Sequence, residues 1–134
     1  MFIRDWYYEV KYFIQRGQRG YSDRDTWDFD SYLCEIIPPA IRYLSKNKSG
    51  CPGDLWDKEA KNNECHKWFE ILEEIAQGFE AADQIKSLSR YCKWLKTDKE
   101  VYDHEWEMEK DKQLAVKFER GMELFAKYFL NLWD

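Results

Sequence analysis

The side chains able to do chemistry are two histidines, four cysteines and a surplus of carboxylates over basic residues. Cys51, Cys65 and His66 come nearest to a metal set. Zinc, however, is usually gripped by close pairs such as Cys-x-x-Cys, where one tight turn lets two thiolates reach one ion, and the chain has no such pair. His104-Glu105 starts like a metalloprotease helix, but Met108 stands where the second histidine would be needed. A di-iron bundle requires Glu three residues before each ligating His, and those positions hold Asn63 and Val101. Cysteine or serine catalysis would have to use His66 or His104 as base, and nothing in the spacing singles out a nucleophile for either. Glu105 and Glu109, four apart on a helix, read as a solvated face rather than an acid–base pair. Neither a Walker loop nor Gly-x-Gly-x-x-Gly is present. The expectation is a protein that is not an enzyme, with no catalytic residue, no metal and no cofactor.

The densest grouping of charge and aromatic rings is Arg16-Gly17-Gln18-Arg19-Gly20-Tyr21-Ser22-Asp23-Arg24-Asp25-Thr26-Trp27-Asp28-Phe29-Asp30-Ser31-Tyr32-Leu33. Its glycines permit left-handed or closely approached backbone, and Arg16, Arg19 and Arg24 lie near the start of a helix whose dipole attracts anions. These arginines could hold a phosphate or a partner's carboxylates. Alternatively they pair with Asp23, Asp25, Asp28 and Asp30 and fix the loop against the helix start, which is the favoured reading. Tyr21, Trp27 and Tyr32 could stack on a base, but core is their better assignment.

This segment, with its Gly-x-Pro sequel, resembles small proteins of tailed bacteriophages sharing an Arg-Gly-x-Arg-Gly-x-Ser-x-x-Asp-x-Trp-x-x-Asp-x-Tyr-Leu-like stretch. The resemblance covers mainly Trp6 to Asp54, with echoes at Trp68 to Phe79 and Phe125 to Asp134. It implies expression in a bacterial cytoplasm during infection or from a prophage and supplies no catalytic residue. By analogy with other small phage proteins that lack enzyme motifs, it implies binding to a host protein.

The leading functional expectation is therefore a non-catalytic interaction protein that masks or redirects a host protein. Its surface would be exposed aromatics together with the acidic stretch holding Asp103, Glu105, Trp106, Glu107 and Glu109. The alternative is a nucleotide, small-ligand or nucleic-acid binder centred on Arg16, Arg19 and Arg24 and on a basic face of Lys86, Arg90 and Lys93. The formal net charge of −5 offers no overall attraction to nucleic acid or anionic lipid, so such binding would need a local basic face.

A chain of 134 residues fits one domain with one core. Seven Trp, nine Tyr and eight Phe argue for folding, and are more large rings than a small core readily hides. The start Met1-Phe2-Ile3-Arg4-Asp5 has neither a basic nor an apolar region of signal-peptide type, and apolar runs are too short to span a membrane. Widely spaced cysteines then point to reduced thiols in a cytoplasm.

The predicted fold is all-α: a single-domain bundle of four to five helices over 1–134 with a long last helix. From about Lys99 to Leu132 a stripe of Val101, His104, Met108, Asp111, Ala115, Phe118, Met122, Phe125, Phe129 and Leu132 recurs at three and four, and its acidic start, about 98–112, could project. That stripe could dimerise or lie across other helices. A second stripe, Trp68, Leu72, Ile75, Phe79 and Ala82, widened by Phe69 and Ala76, predicts an antiparallel partner, capped at Asn62 or Asn63. Between the two, Gln84 to Lys96 reads as a separate basic amphipathic helix. Upstream, Ser22 or Asp25 caps a helix with Phe29, Leu33, Ile36, Ile37, Ala40, Ile41 and Leu44 on its apolar face, kinked or broken at Pro38-Pro39. Residues 3–15 fit helix or strand, and helix is preferred because no second strand exists to pair with.

Overall fold

A computed structural model describes residues 2–47, 50–55, 65–95 and 104–133, with side chains described except at 88–95 and 104–108. Among them are five helices and no strand: α1 (Phe2–Arg19), α2 (Asp23–Trp27), α3 (Phe29–Asn47), α4 (His66–Leu95) and α5 (His104–Tyr128), with 3-10 turns at Gly53–Leu55 and Phe129–Asn131. The all-α expectation holds, and the ambiguous N-terminus is helical. No described helix is long and apolar enough to cross a membrane. The chain packs as two compact units, Met1–Glu35 and Ile36–Asp134.

In the second unit, α4 and α5 pack side by side. Trp68 meets Tyr128 edge-on at 5.4 Å, and ten residues further along α4 Gly78 meets Gly121, so the two helices run antiparallel. The crossing is very close. A Cβ placed on either glycine would lie 2.7 Å from the other's Cα, and within 3.2 Å of a backbone carbonyl, Lys117 O for Gly78 and Glu74 O for Gly121. Backbone cannot yield as a flexible side chain can, so at this crossing only hydrogen fits on both helices. Around it Leu72, Ile75 and Ala76 are fully buried, with Ile71, Phe79, Leu114 and Leu124 nearly so, and Phe79 meets Phe125 edge-on.

Three expectations about these helices are corrected. The seam of α5 runs through Leu114, Gly121, Leu124 and Tyr128, one residue before the expected Ala115, Met122, Phe125 and Phe129, and Phe129 is 57% exposed. The glycine contact sets that rotation, because the point of closest approach defines the inner face. Phe69 is exposed, while Ile71, beside Leu72, takes the core position. The basic stretch from Gln84 is no separate helix, since α4 continues to Leu95 with no proline or glycine between Ala82 and Gln84 to interrupt it. The caps expected at Asn62 or Asn63 lie outside the described residues; the carbonyl of Cys65 accepts from Trp68 N at 3.0 Å at the helix start.

α3 also departs from expectation. It runs unbroken through Pro38 and Pro39, and the interruption falls earlier, at Asp28, whose φ of −139° and ψ of 57° separate α2 from α3. Proline removes N–H donors without forcing the chain out of helical φ, and Pro38 and Ile41 are buried. On the next turn Arg42 reaches both Glu73 and Glu80 of α4, which lie two turns apart, with two hydrogen bonds to each. Glu73 is thereby held below the ordinary glutamate pKa, first by the Arg42 hydrogen bond.

The segment after α3 is anchored at two points. Cys51 and Cys65 form a disulfide across 14 residues, correcting the expectation of reduced thiols at these positions. Tyr128 donates its hydroxyl proton to Asp54 at 3.1 Å, and Pro52 is buried.

Two outcomes test this packing. Gly78→Ala and Gly121→Ala should each lower stability by about 2 kcal/mol despite the helix propensity of alanine, whereas Gly17→Ala, with nothing within 4 Å, should raise it by up to about 1 kcal/mol. Thermal unfolding followed by circular dichroism reads the opposite signs directly. The Cys51→Ser, Cys65→Ser double variant should lose about 3 kcal/mol, the loop-closure term for a ring of this length, and wild type in reductant should match it.

Candidate functional site

The first unit is organised by one carboxylate. α1 ends at Gly20, whose φ of +82° is the left-handed conformation glycine adopts without strain, and its N–H returns to the Arg16 carbonyl at 2.9 Å. That turn brings Ser22 to the start of α2 as its cap: Ser22 Oγ accepts from Asp25 N, and Asp25 Oδ2 accepts from Ser22 N at 2.7 Å and Ser22 Oγ at 2.8 Å. Arg16 completes the cluster, donating from Nε to Asp25 Oδ2 at 2.8 Å and from its terminal nitrogen to Oδ1. Ser22 and Asp25 are buried at 1% and 6% exposure, so the carboxylate leaves water only because four donors replace it. The Arg16 hydrogen bond holds Asp25 well below the usual carboxylate range and raises Arg16 in return.

A second carboxylate serves the outer side of the same turn. Gln15 and Asp23 exchange two bonds, Nε2 to Oδ2 at 2.8 Å and Asp23 N to Oε1 at 2.9 Å, while Arg19 and Lys11 also reach Asp23. The Gln15 bond first, then Arg19, lowers Asp23 to about 2. Arg19 also donates to the Tyr21 carbonyl at 3.0 Å and lies over the Tyr21 ring; Arg24 pairs with Glu9 at 3.0 Å.

Beside this network opens a cavity of about 390 Å³. Tyr12, Phe13 and Tyr32 supply its rings, Glu9, Asp28 and Glu35 its acids, and the Arg16–Asp25 pair one wall. Arg16 lies 5.3 Å from the Tyr32 ring centre, and Tyr32 donates its hydroxyl to the Gly20 carbonyl. A comparable space of about 400 Å³ in the other unit is lined by Lys67, Arg120 and Lys127 against Glu70, Glu74 and Glu123.

The structure thus brings together Arg16, Arg19 and Arg24, but each is engaged by a carboxylate, as in the favoured reading of the loop. An anion entering here would have to displace Asp25, Asp23 or Glu9. Of the aspartates expected as partners, Asp25 engages Arg16 and Asp23 engages Arg19, while Arg24 pairs with Glu9. Of the basic face, Lys86 is half-buried, and the side chains of Arg90 and Lys93 lie outside the described set. Of the acidic stretch, Asp103 lies outside the described residues, Glu105, Trp106 and Glu107 are described in backbone only within α5, and Glu109 is exposed, with Gln113 at 3.5 Å. Cys51 and Cys65 are bonded to each other, so neither is available as a thiolate, and among the described residues no three metal-ligating side chains cluster.

Sequence reasoning missed Gln15, immediately before the Arg-Gly element, and Glu9, two helical turns before it. Their signal was weak: polar residues on a helix with an apolar face are expected to be solvated. The chain matches no family model, no curated protein and no solved structure.

The depressed carboxyls fix a pH dependence. Both aspartates titrate lower folded than the ordinary value near 3.9, so their stabilisation is complete above about pH 4 and is lost as pH falls through the folded values. Asp25→Asn should cost roughly 1–3 kcal/mol at neutral pH and flatten the acid limb of the stability–pH profile, measured by urea unfolding between pH 2 and pH 7.

Proposed function

We propose that this protein is a non-catalytic interaction protein of the bacteriophage type, which binds and modulates a host protein in a bacterial cytoplasm. The observation supporting this reading is the number of large apolar side chains left on the surface. Trp27 of the first unit and Tyr43, Val116, Leu130 and Trp133 of the second are each at least 66% exposed. Surface apolar area on this scale is characteristic of proteins that complete their burial against partners. The paired state of Arg16, Arg19 and Arg24 weakens the competing anion-binding reading, because each guanidinium already has its carboxylate.

The acidic start of α5 is the surface assigned to the host partner. Glu105, Glu107 and Glu109 bring like charges onto one end of the helix, with Trp106 among them, and a basic patch on a partner would complement them. Charge reversal at Glu105 and Glu109 should reduce capture of the partner from bacterial lysate at least tenfold while leaving the circular dichroism spectrum and Tm unchanged. Capture quantified by mass spectrometry against wild type checks this, and undiminished capture would remove the surface.

A further inference from the structure

α1 is built inside out. Its eighteen residues include none that is buried, and the side it turns toward α2 is polar: Gln15, Arg16 and Arg19, with Glu9 and Lys11, make the ion pairs and hydrogen bonds described above. At 100° per residue, Phe2, Ile3, Trp6, Tyr7, Val10, Phe13 and Ile14 fall within an arc of about 140° on the other side. Six of those side chains face outward, with Phe2 at 91%, Ile3 at 86%, Phe13 at 79%, Trp6 at 69%, Tyr7 at 61% and Ile14 at 50% exposure, and Val10 in their midst is half-buried.

Taking the usual area of each ring or branched side chain, this face leaves roughly 700 Å² of mostly apolar surface in water, above the few hundred typical of a monomer's largest patch. It is close to the roughly 800 Å² that each partner contributes to a stable interface. We infer that the face binds a second copy of this chain, the two α1 helices packing across a two-fold axis near Val10. An isologous interface sets the same patch against itself, so an apolar face finds an apolar face without any change elsewhere. Antiparallel pairing about Val10 places Trp6 opposite Ile14 and Tyr7 opposite Phe13, large against small at one level and ring against ring at the next. An anionic lipid surface is the poorer occupant. Residues 1–35 carry seven carboxylates against five basic side chains, and Lys11, Arg16 and Arg19 of α1 are already paired.

The test uses the intact purified protein, without host lysate, so its outcome is independent of host capture. Light scattering coupled to size exclusion should give twice the 16.4 kDa chain mass at tens of micromolar, and Trp6→Asp and Phe13→Asp should each raise the dimer dissociation constant at least tenfold with an unchanged helical spectrum. In a Cys34→Ser, Cys92→Ser background, Val10→Cys should oxidise to a covalent dimer whereas Arg4→Cys, on the flank, should not. A wild-type monomer at 100 micromolar, dimers undisturbed by both aspartates, or equal cross-linking at positions 4 and 10 would each overturn the inference.

Discussion

The constraint on which the larger unit depends is the absence of two methyl groups. Gly78 and Gly121 bring the α4 and α5 backbones together at a point where a Cβ on either would meet the other's Cα at 2.7 Å. Everything nearby follows from that approach. It sets which face of α5 turns inward, hence the burial of Leu114, Leu124 and Tyr128, and it brings Ile71, Leu72, Ile75 and Ala76 close enough to fill the seam. Tyr128, once inward, stacks edge-on against Trp68 and offers its hydroxyl to Asp54, which ties the disulfide-closed segment to the same end of the pair. Across the seam, Arg120 reaches Glu74, but as an exposed ion pair it adds little to the apolar contact it borders.

The smaller unit rests on a different principle. It has almost no apolar core, and its organising element is a buried carboxylate satisfied by Arg16 and by both polar atoms of Ser22. Removing such a charge from water is tolerable only when every donor is in place, so the capping box of α2, the left-handed turn at Gly20 and the last turn of α1 are mutually dependent. A unit stabilised by polar contacts has no need to bury the apolar face of α1. The outward aromatic side is therefore a consequence of how this unit is held together.

The two arrangements bear differently on function. The paired arginines make a rigid turn rather than an open anion cradle, and the cavity beside them carries more acid than base. The exposed rings supply apolar surface on the scale of an interface. The acidic start of α5 and the apolar side of α1 are chemically distinct surfaces, carboxylates on one and rings and branched side chains on the other.

Much of this was legible in the residues. The three-and-four spacing of Trp68, Leu72, Ile75 and Phe79 determined a helix with that face inward, and the long last helix was written in its lack of proline. Ser22 or Asp25 marked a helix start, and the abundance of acids around the Arg-Gly element favoured internal pairing. These are local properties, set by helical periodicity and by hydrogen bonds within a few residues. What only the tertiary structure decided is the rotation of each helix about its axis. On α5, Leu114, Leu124 and Tyr128 and the neighbouring Ala115, Phe125 and Phe129 offer nearly equal apolar faces one residue apart, and only the approach of a second backbone chooses between them. On α1, periodicity marked an apolar side but could not tell that polar bonds to Asp23 and Asp25 would turn it outward. The pairing of Cys51 with Cys65 likewise depended on their Cα atoms lying 6.2 Å apart in space, a distance that spacing along a chain does not contain.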